Sequence, residues 1–186
     1  MTLDGFWTTI SDARQGTRKL VDIPSHLLDV LSQTEEREII DYATHFRDCL
    51  HRAYDANLWL GAVVIFGGCG DDKFSDFRCW LVAQGRDAFE SALADPDSMA
   101  DLEIADGDYG YPILFNLSSV AQRAFCKRAA GDPDDFAACE RFESLFPPGE
   151  HPALKNEELV NTSDEDAKLL LPKLAARFPD GIRGVR

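Results

Sequence analysis

The clearest pattern in the sequence is a run of apolar residues spaced alternately three and four positions apart between residues 36 and 54. Charged residues fill most positions between them, which is typical of an amphipathic α-helix with one face in a core. The preceding stretch Ser32-Gln-Thr-Glu35 has the spacing of a capping box and predicts where this helix begins. The apolar stripe consists of Ile39, Tyr42, Ala43, Phe46, Cys49, Leu50, Ala53 and Tyr54.

Similar patterns predict helices along most of the remaining chain, so we predict an all-α fold, an irregular bundle of about seven to nine helices. Residues 58–66 are ambiguous, because their second half favours a strand and their first half a helix. We interpret them as a buried helix that ends at Gly67. The other predicted helices cover residues 4–14 with Asp4 as cap, 24–31, 71–85, 86–94, a stretch from Ile113 or Ser119 to Ala130, 133–146, and 163–178 with a break at Pro172.

A proline- and glycine-rich break at residues 147–152 predicts the domain organisation. We expect a helical core domain over residues 1–147. Residues 148–186 are expected to form a linker and a C-terminal helix that packs on this core.

The charge balance excludes some partners. The chain has 19 Lys and Arg against 33 Asp and Glu, a formal net charge of −14. Direct binding to nucleic acid or to an anionic membrane needs a basic surface, so both are disfavoured. A basic protein partner is favoured, although such a charge also serves solubility alone.

The protein is expected in the cytoplasm. The N-terminal sequence lacks the basic start and long apolar run of a signal peptide, and no apolar run approaches the length of a membrane span. The five cysteines are odd in number and form no CxxC pair, which fits reduced thiols better than a disulfide framework.

An acidic stretch is the most unusual charge feature, since residues 87–122 contain no Lys or Arg. It is interpreted either as a solvated loop or as a surface that docks a basic protein. Tyr109 and Tyr111 would add aromatic contact area to such a surface. The candidate docking residues are Asp95, Asp97, Asp101, Glu103, Asp106 and Asp108.

A glycine-rich turn at residues 67–70 looks at first like a phosphate-binding loop. Two carboxylates, Asp71 and Asp72, follow it and would repel a phosphate. One of them can cap the next helix, which leaves the second for the fold, a divalent cation or a partner. Arg78 projects toward the apolar face of that helix, so it needs a structural ion pair or binds an anion. Asp71, Asp72 and Arg78 therefore form a candidate ligand site or ion-pair cluster.

Other chemistry has weak support in the sequence. His45 and Cys49 share a helix face, but two ligands do not make a zinc site. No local motif marks a Cys–His nucleophilic pair, a serine elbow, a zinc protease or a calcium loop. We predict no metal and no cofactor.

Several segments together resemble an uncharacterised bacterial family, the domain of unknown function 4240. They are Phe6-Trp7, the stretch 67–81 with its neighbour 84–89, and residues 94–97. The likeness covers roughly residues 1 to 130, and its most specific part reads GGCxDDxFxxFRxWLxxQG. It implies a bacterial cytosolic protein and no known activity.

We expect a non-enzymatic acidic interaction module of an immunity, inhibitor or regulatory type, which docks a basic partner. The alternative is a small enzyme or a ligand- or cation-binding protein with a site near Asp71, Asp72 and Arg78.

Overall fold

The computed structural model describes residues 1–17, 19–104 and 115–181. These residues form α-helices and short 3₁₀ helices and contain no β-strand, which confirms the all-α prediction. The α-helices are α1 (Leu3–Gly16), α2 (Ile23–Leu31), α3 (Glu36–Arg52), α4 (Ala56–Phe66), α5 (Asp71–Ala83), α6 (Arg86–Ala94), α7 (Val120–Ala130), α8 (Phe136–Leu145), α9 (Asp164–Leu170) and α10 (Pro172–Arg177). The 3₁₀ helices are Leu20–Asp22, Pro96–Asp101, Phe115–Ser119 and Glu157–Asn161.

The chain forms two compact units, and each unit is built from two separate stretches of sequence. The first unit comprises Met1–Cys49 and Leu114–His151, and the second comprises Leu50–Ile113 and Pro152–Arg186. Helices α1, α2, α7, α8 and most of α3 belong to the first unit; α4, α5, α6, α9 and α10 belong to the second. The predicted division into residues 1–147 and 148–186 stays a prediction.

Aromatic side chains fill the core of the first unit. The ring of Phe6 on α1 lies 5.1 Å from that of Tyr42 on α3. Phe125 on α7 meets Phe142 on α8 edge to face at 5.5 Å, a favourable geometry for aromatic rings. The residues of α3 that are buried follow the predicted stripe: Ile39, Tyr42, Ala43, Phe46 and Cys49.

Two predicted helix caps of the first unit are wrong. Thr2, not Asp4, caps α1, since its hydroxyl accepts a hydrogen bond from the Gly5 amide. The capping box before α3 does not form, because Ser32 lies in the turn that ends α2 and its hydroxyl donates to the Asp29 carbonyl at 2.9 Å. Spacing alone did not reveal which helix end the serine serves.

Helix α4 is the central buried helix of the second unit, and the helical interpretation of residues 58–66 is confirmed. Eight of its eleven residues are buried. The Asp55 carboxylate caps its start by accepting from the Asn57 amide, and Gly67 ends it in a left-handed conformation with φ 66°, as predicted. In the described part of the chain, no helix is long and apolar enough to cross a membrane.

The C-terminal stretch begins its two helices where the sequence predicted. Ser163 caps α9 by accepting from the Asp166 amide at 3.1 Å, and Pro172 stands at the first turn of α10. The free amides at the start of α10 find their acceptor in a distant part of the second unit. The Asp97 carboxylate, only 7% exposed, accepts from the amides of Lys173 (3.0 Å) and Leu174 (2.9 Å).

The position of Asp97 corrects one sequence-based assignment. Asp97 is a predicted docking residue, yet both of its carboxylate oxygens are used inside the second unit. Near the other end of α10, Arg177 donates to the carbonyls of Ala100 and Leu102. The 3₁₀ helix Pro96–Asp101 is therefore the anchor for α10.

Replacing Asp97 with alanine should lower the free energy of unfolding by about 1–3 kcal/mol, because two helix-end amides lose their acceptor in a buried position. Asp97→Asn should cost less, since its amide oxygen still accepts one hydrogen bond. Chemical denaturation followed by far-UV circular dichroism measures both changes.

Asp101→Ala is the matched control, because Asp101 belongs to the same 3₁₀ helix but is exposed. Its effect should stay within about 0.5 kcal/mol. Equal effects of the two alanine variants would contradict the anchoring role of Asp97.

Candidate functional site

The glycine-rich turn joins α4 to α5 within the second unit. Gly67 and Gly68 have positive φ angles of 66° and 132°, a conformation that favours glycine. Gly70 is extended and precedes the first residue of α5, and no side chain caps this helix. Asp71 and Asp72 lie in the first turn and are exposed, so the predicted capping aspartate is wrong. They favour the helix through its dipole instead.

Arg78 is held by the fold of the second unit. Of its two terminal guanidinium nitrogens, Nη1 donates to the Leu50 carbonyl at 3.0 Å and Nη2 to the Ser75 hydroxyl at 3.1 Å. The guanidinium also lies over the rings of Tyr54 and Phe74, at 4.9 and 5.2 Å from their centres. Burial lowers the pKa of Arg78. Its surroundings are thus aromatic rings, a carbonyl and a hydroxyl.

Among the described residues, no hydrogen bond or ion pair joins Arg78 to Asp71 or Asp72. Among the described residues Arg78 makes no ion pair with a carboxylate, so the predicted ion pair is replaced by the carbonyl and the hydroxyl. Asp72 faces another carboxylate, since the pKa of Asp76 is raised by partial burial and then by Asp72. No group of three or more His, Cys, Asp or Glu in the described ranges could hold a metal ion.

Cys69 lies in the glycine-rich turn and is half-buried. Burial raises the pKa of its thiol to about 12, and Lys73 only partly opposes this rise. A thiol with such a pKa is almost entirely protonated at neutral pH and is a poor nucleophile. The turn therefore lacks an activated cysteine.

A groove opens beside this turn, with Trp59 at its centre. The Trp59 indole stacks on Phe74 at 4.6 Å between ring centres, and its N–H donates to the Cys69 carbonyl at 2.8 Å. Two hollows of about 430 and 300 Å³ are both lined by Trp59 and Val160. We call these two hollows the Trp59 groove.

The walls of the Trp59 groove come from stretches that are about a hundred residues apart in sequence. Helix α4 and the glycine-rich turn contribute Leu60, Val63 and Cys69. The C-terminal stretch contributes residues 152–154, Glu157 and Asp164. Each part looks like ordinary core or linker in sequence, so the groove was not predicted.

The charged side chains that line the groove are all acidic. Its lining contains the carboxylates of Glu157 and Asp164, and no lining residue of these two described hollows is Lys, Arg or His. Exposed apolar side chains lie in the same stretch of chain: Val160 is 50% exposed and Leu169 is 79% exposed. The groove combines apolar area with negative charge.

The predicted acidic docking residues have mixed positions. Asp95 is exposed, but its carboxylate accepts from the Asp97 amide at 3.1 Å. Asp101 and Glu103 are exposed. Two further predicted docking residues, Asp106 and Asp108, lie outside the described residues, as do Tyr109 and Tyr111.

The described residues form an all-helical fold whose second unit carries an apolar groove with an acidic lining. The family model for a protein of unknown function (DUF4240) matches residues 1–127, and the chain belongs to this family. The resemblance seen in the sequence is thereby confirmed. The match includes Trp59 and the glycine-rich turn, whereas the wall from residues 152–164 lies outside it. Comparison with curated proteins gives no match, and comparison with solved structures gives none either.

Replacing Arg78 with lysine should lower the free energy of unfolding by about 1–3 kcal/mol, because an ammonium cannot reproduce the fork of donors or the stacking on two rings. Urea denaturation measures this loss. Arg37→Lys, at an exposed position of α3, is the control and should change stability by less than about 0.5 kcal/mol. A harmless Arg78→Lys change would show that Arg78 is not a packing residue.

Cys69 should react slowly with iodoacetamide at pH 7–8, with a rate that still rises above pH 9, because its thiolate forms only near the raised pKa of about 12. Alkylation measured by peptide mass spectrometry gives this profile. Protein unfolded in urea is the control, and there the rate should level off near the ordinary thiol pKa, roughly 8.5. A plateau below pH 8 in the folded protein would identify a reactive cysteine and favour an enzyme.

Proposed function

We propose that this protein is a non-enzymatic interaction module that binds a basic, partly apolar segment of a partner protein in the Trp59 groove. One observation carries the proposal: the groove joins aromatic and aliphatic lining to two carboxylates and has no cationic lining residue. The proposed setting is the bacterial cytoplasm, in an immunity, inhibitor or regulatory role.

The apolar part of the groove supports a protein ligand. Trp59 is half-buried, and a tryptophan that is already held by stacking and a hydrogen bond loses little freedom when it is covered. Val160 adds exposed aliphatic surface. Such area, rimmed by polar groups, is typical of recognition sites.

The charge supports a basic partner. Glu157 and Asp164 attract Lys or Arg side chains that flank an apolar anchor, and the chain's net charge of −14 speeds the encounter. Asp101 and Glu103 extend the acidic character of the second unit. The same field opposes nucleic acids and anionic membranes.

The alternative site near Asp71, Asp72 and Arg78 has less support. The guanidinium of Arg78 already has two hydrogen-bond acceptors and two aromatic neighbours within the second unit. The exposed aspartates remain free to contact a partner, but the described residues bring no third metal-binding side chain to them.

A peptide of alternating lysine and leucine should bind the protein, whereas glutamate–leucine and lysine–serine peptides should not. Isothermal titration calorimetry measures the three affinities. Raising the salt concentration should weaken the binding, because exposed charges are screened within about 10 Å at 0.1 M. Binding of all three peptides alike, or of none, would contradict the proposal.

Matched variants locate the binding surface. The double variant Glu157→Gln and Asp164→Asn should lower the affinity for the lysine–leucine peptide at least about tenfold, a loss of roughly 1.4 kcal/mol of binding free energy. The control double variant Asp101→Asn and Glu103→Gln removes the same charge outside the groove and should leave the affinity almost unchanged. The opposite result would move the binding site to the acidic surface predicted from sequence.

A further inference from the structure

Two cysteines of the first unit lie in direct contact. The Sγ atoms of Cys126 on α7 and Cys139 on α8 are 2.6 Å apart, and both residues are free thiols. Their separation in sequence conceals this contact, because twelve residues and a turn lie between them.

The turn between α7 and α8 explains why the thiols meet. Helix α7 is followed by its C-cap Gly131, whose φ of 78° lets the chain reverse, and α8 begins after its cap Asp135. Cys126 and Cys139 each lie about one helical turn away from this reversal. An ion pair between Arg123 and Asp134 at 3.2 Å ties α7 to the turn, and the Phe125–Phe142 contact fixes the two helices side by side.

We propose that Cys126 and Cys139 are an oxidation site, at which a low-molecular-weight disulfide converts the two thiols into a reversible disulfide that joins α7 to α8. The bond needs the Sγ atoms to approach from 2.6 Å to about 2.05 Å, a shift smaller than ordinary side-chain motion. Cys139 is half-buried and accessible to a small reagent, while Cys126 is fully buried beside it.

The exchange takes place in two balanced steps. The Cys139 thiol loses its proton to solvent, and its sulfur attacks one sulfur of the small disulfide and expels the other as a thiolate. The Cys126 sulfur, after losing its own proton, then attacks Cys139 and expels the second small thiolate. Each small thiolate takes up one proton, so two protein thiols are oxidised and one small disulfide is reduced to two thiols.

The order of the two steps follows from the surroundings of the thiols. Burial, and then the neighbouring Cys139 thiol, raise the pKa of Cys126 to about 12, so Cys126 is a poor first nucleophile. Once Cys139 carries the small thiol, contact with Cys126 gives the second step a high effective concentration. The pair therefore closes to a cross-link rather than keeping the adduct.

Cys69 provides a contrast within the same chain. It is also half-buried, but its Sγ atom lies 3.7 Å from the Gly70 carbonyl rather than beside a second thiol. Oxidation at Cys69 would stop at a mixed disulfide with the reagent. This difference makes Cys69 the matched control.

The test treats the folded, full-length protein with oxidised glutathione at pH 8 and maps its cysteines by mass spectrometry. We expect a loss of two hydrogen atoms in mass and a linked peptide pair that contains Cys126 and Cys139. Thermal unfolding should shift upward by on the order of 5–10 °C, because the cross-link constrains the unfolded chain, and dithiothreitol should reverse the shift.

Single variants complete the test. Cys69→Ser should keep the cross-link, and Cys126→Ser should retain a stable glutathione adduct on Cys139. Because the linked peptide is sought in the protein without substitutions, the test does not depend on the folding of a variant. An adduct on Cys139 without the cross-link, or a cross-link that forms only in urea, would overturn the proposal.

Discussion

The second unit depends on one requirement, that backbone groups at helix ends find partners when they are buried. Asp97 meets this requirement for α10, since its carboxylate accepts two amides from residues more than seventy positions away. Asp55 acts similarly at α4 and also accepts from the Asn156 side chain at 2.9 Å. Arg78 supplies a donor to the carbonyl of Leu50 near the end of α3. Long-range capping thus joins the C-terminal stretch to α4, and the Trp59 groove exists only because this stretch is held there.

The same polar side chains explain why an acidic protein need not expose all of its carboxylates to a partner. Asp97 is internal, whereas Asp95, Asp71 and Asp72 are exposed. Asp95 nevertheless accepts a hydrogen bond within its own 3₁₀ helix, and Asp71 and Asp72 favour the start of α5 through the helix dipole. The negative charge that stays accessible is in the lining of the groove and on exposed surface residues. Function in this chain is better assigned from the position of each carboxylate than from the overall charge.

The sequence predicted those features that depend on neighbours along the chain. The apolar stripe of α3, the glycine that ends α4, the Ser163 cap and the break at Pro172 are all local signals, and the structure agrees with them. Contacts between residues that are distant along the chain left no recognisable pattern in the sequence. The role of Asp97, the Cys126–Cys139 contact and the walls of the groove depend on how helices meet, which spacing does not encode. The wrong caps, Asp4 and Ser32, show that even a local motif can serve a different helix end from the one expected.

The family match covers one wall of the groove and not the other. Trp59 and the glycine-rich turn belong to the segment that defines the family, whereas Glu157, Val160 and Asp164 come from the segment beyond it. A chain that keeps the first segment and changes the second would retain the same aromatic anchor but present a different rim. Under the proposed function, the choice of partner would then depend on the C-terminal stretch, while the helical base supplies the aromatic anchor.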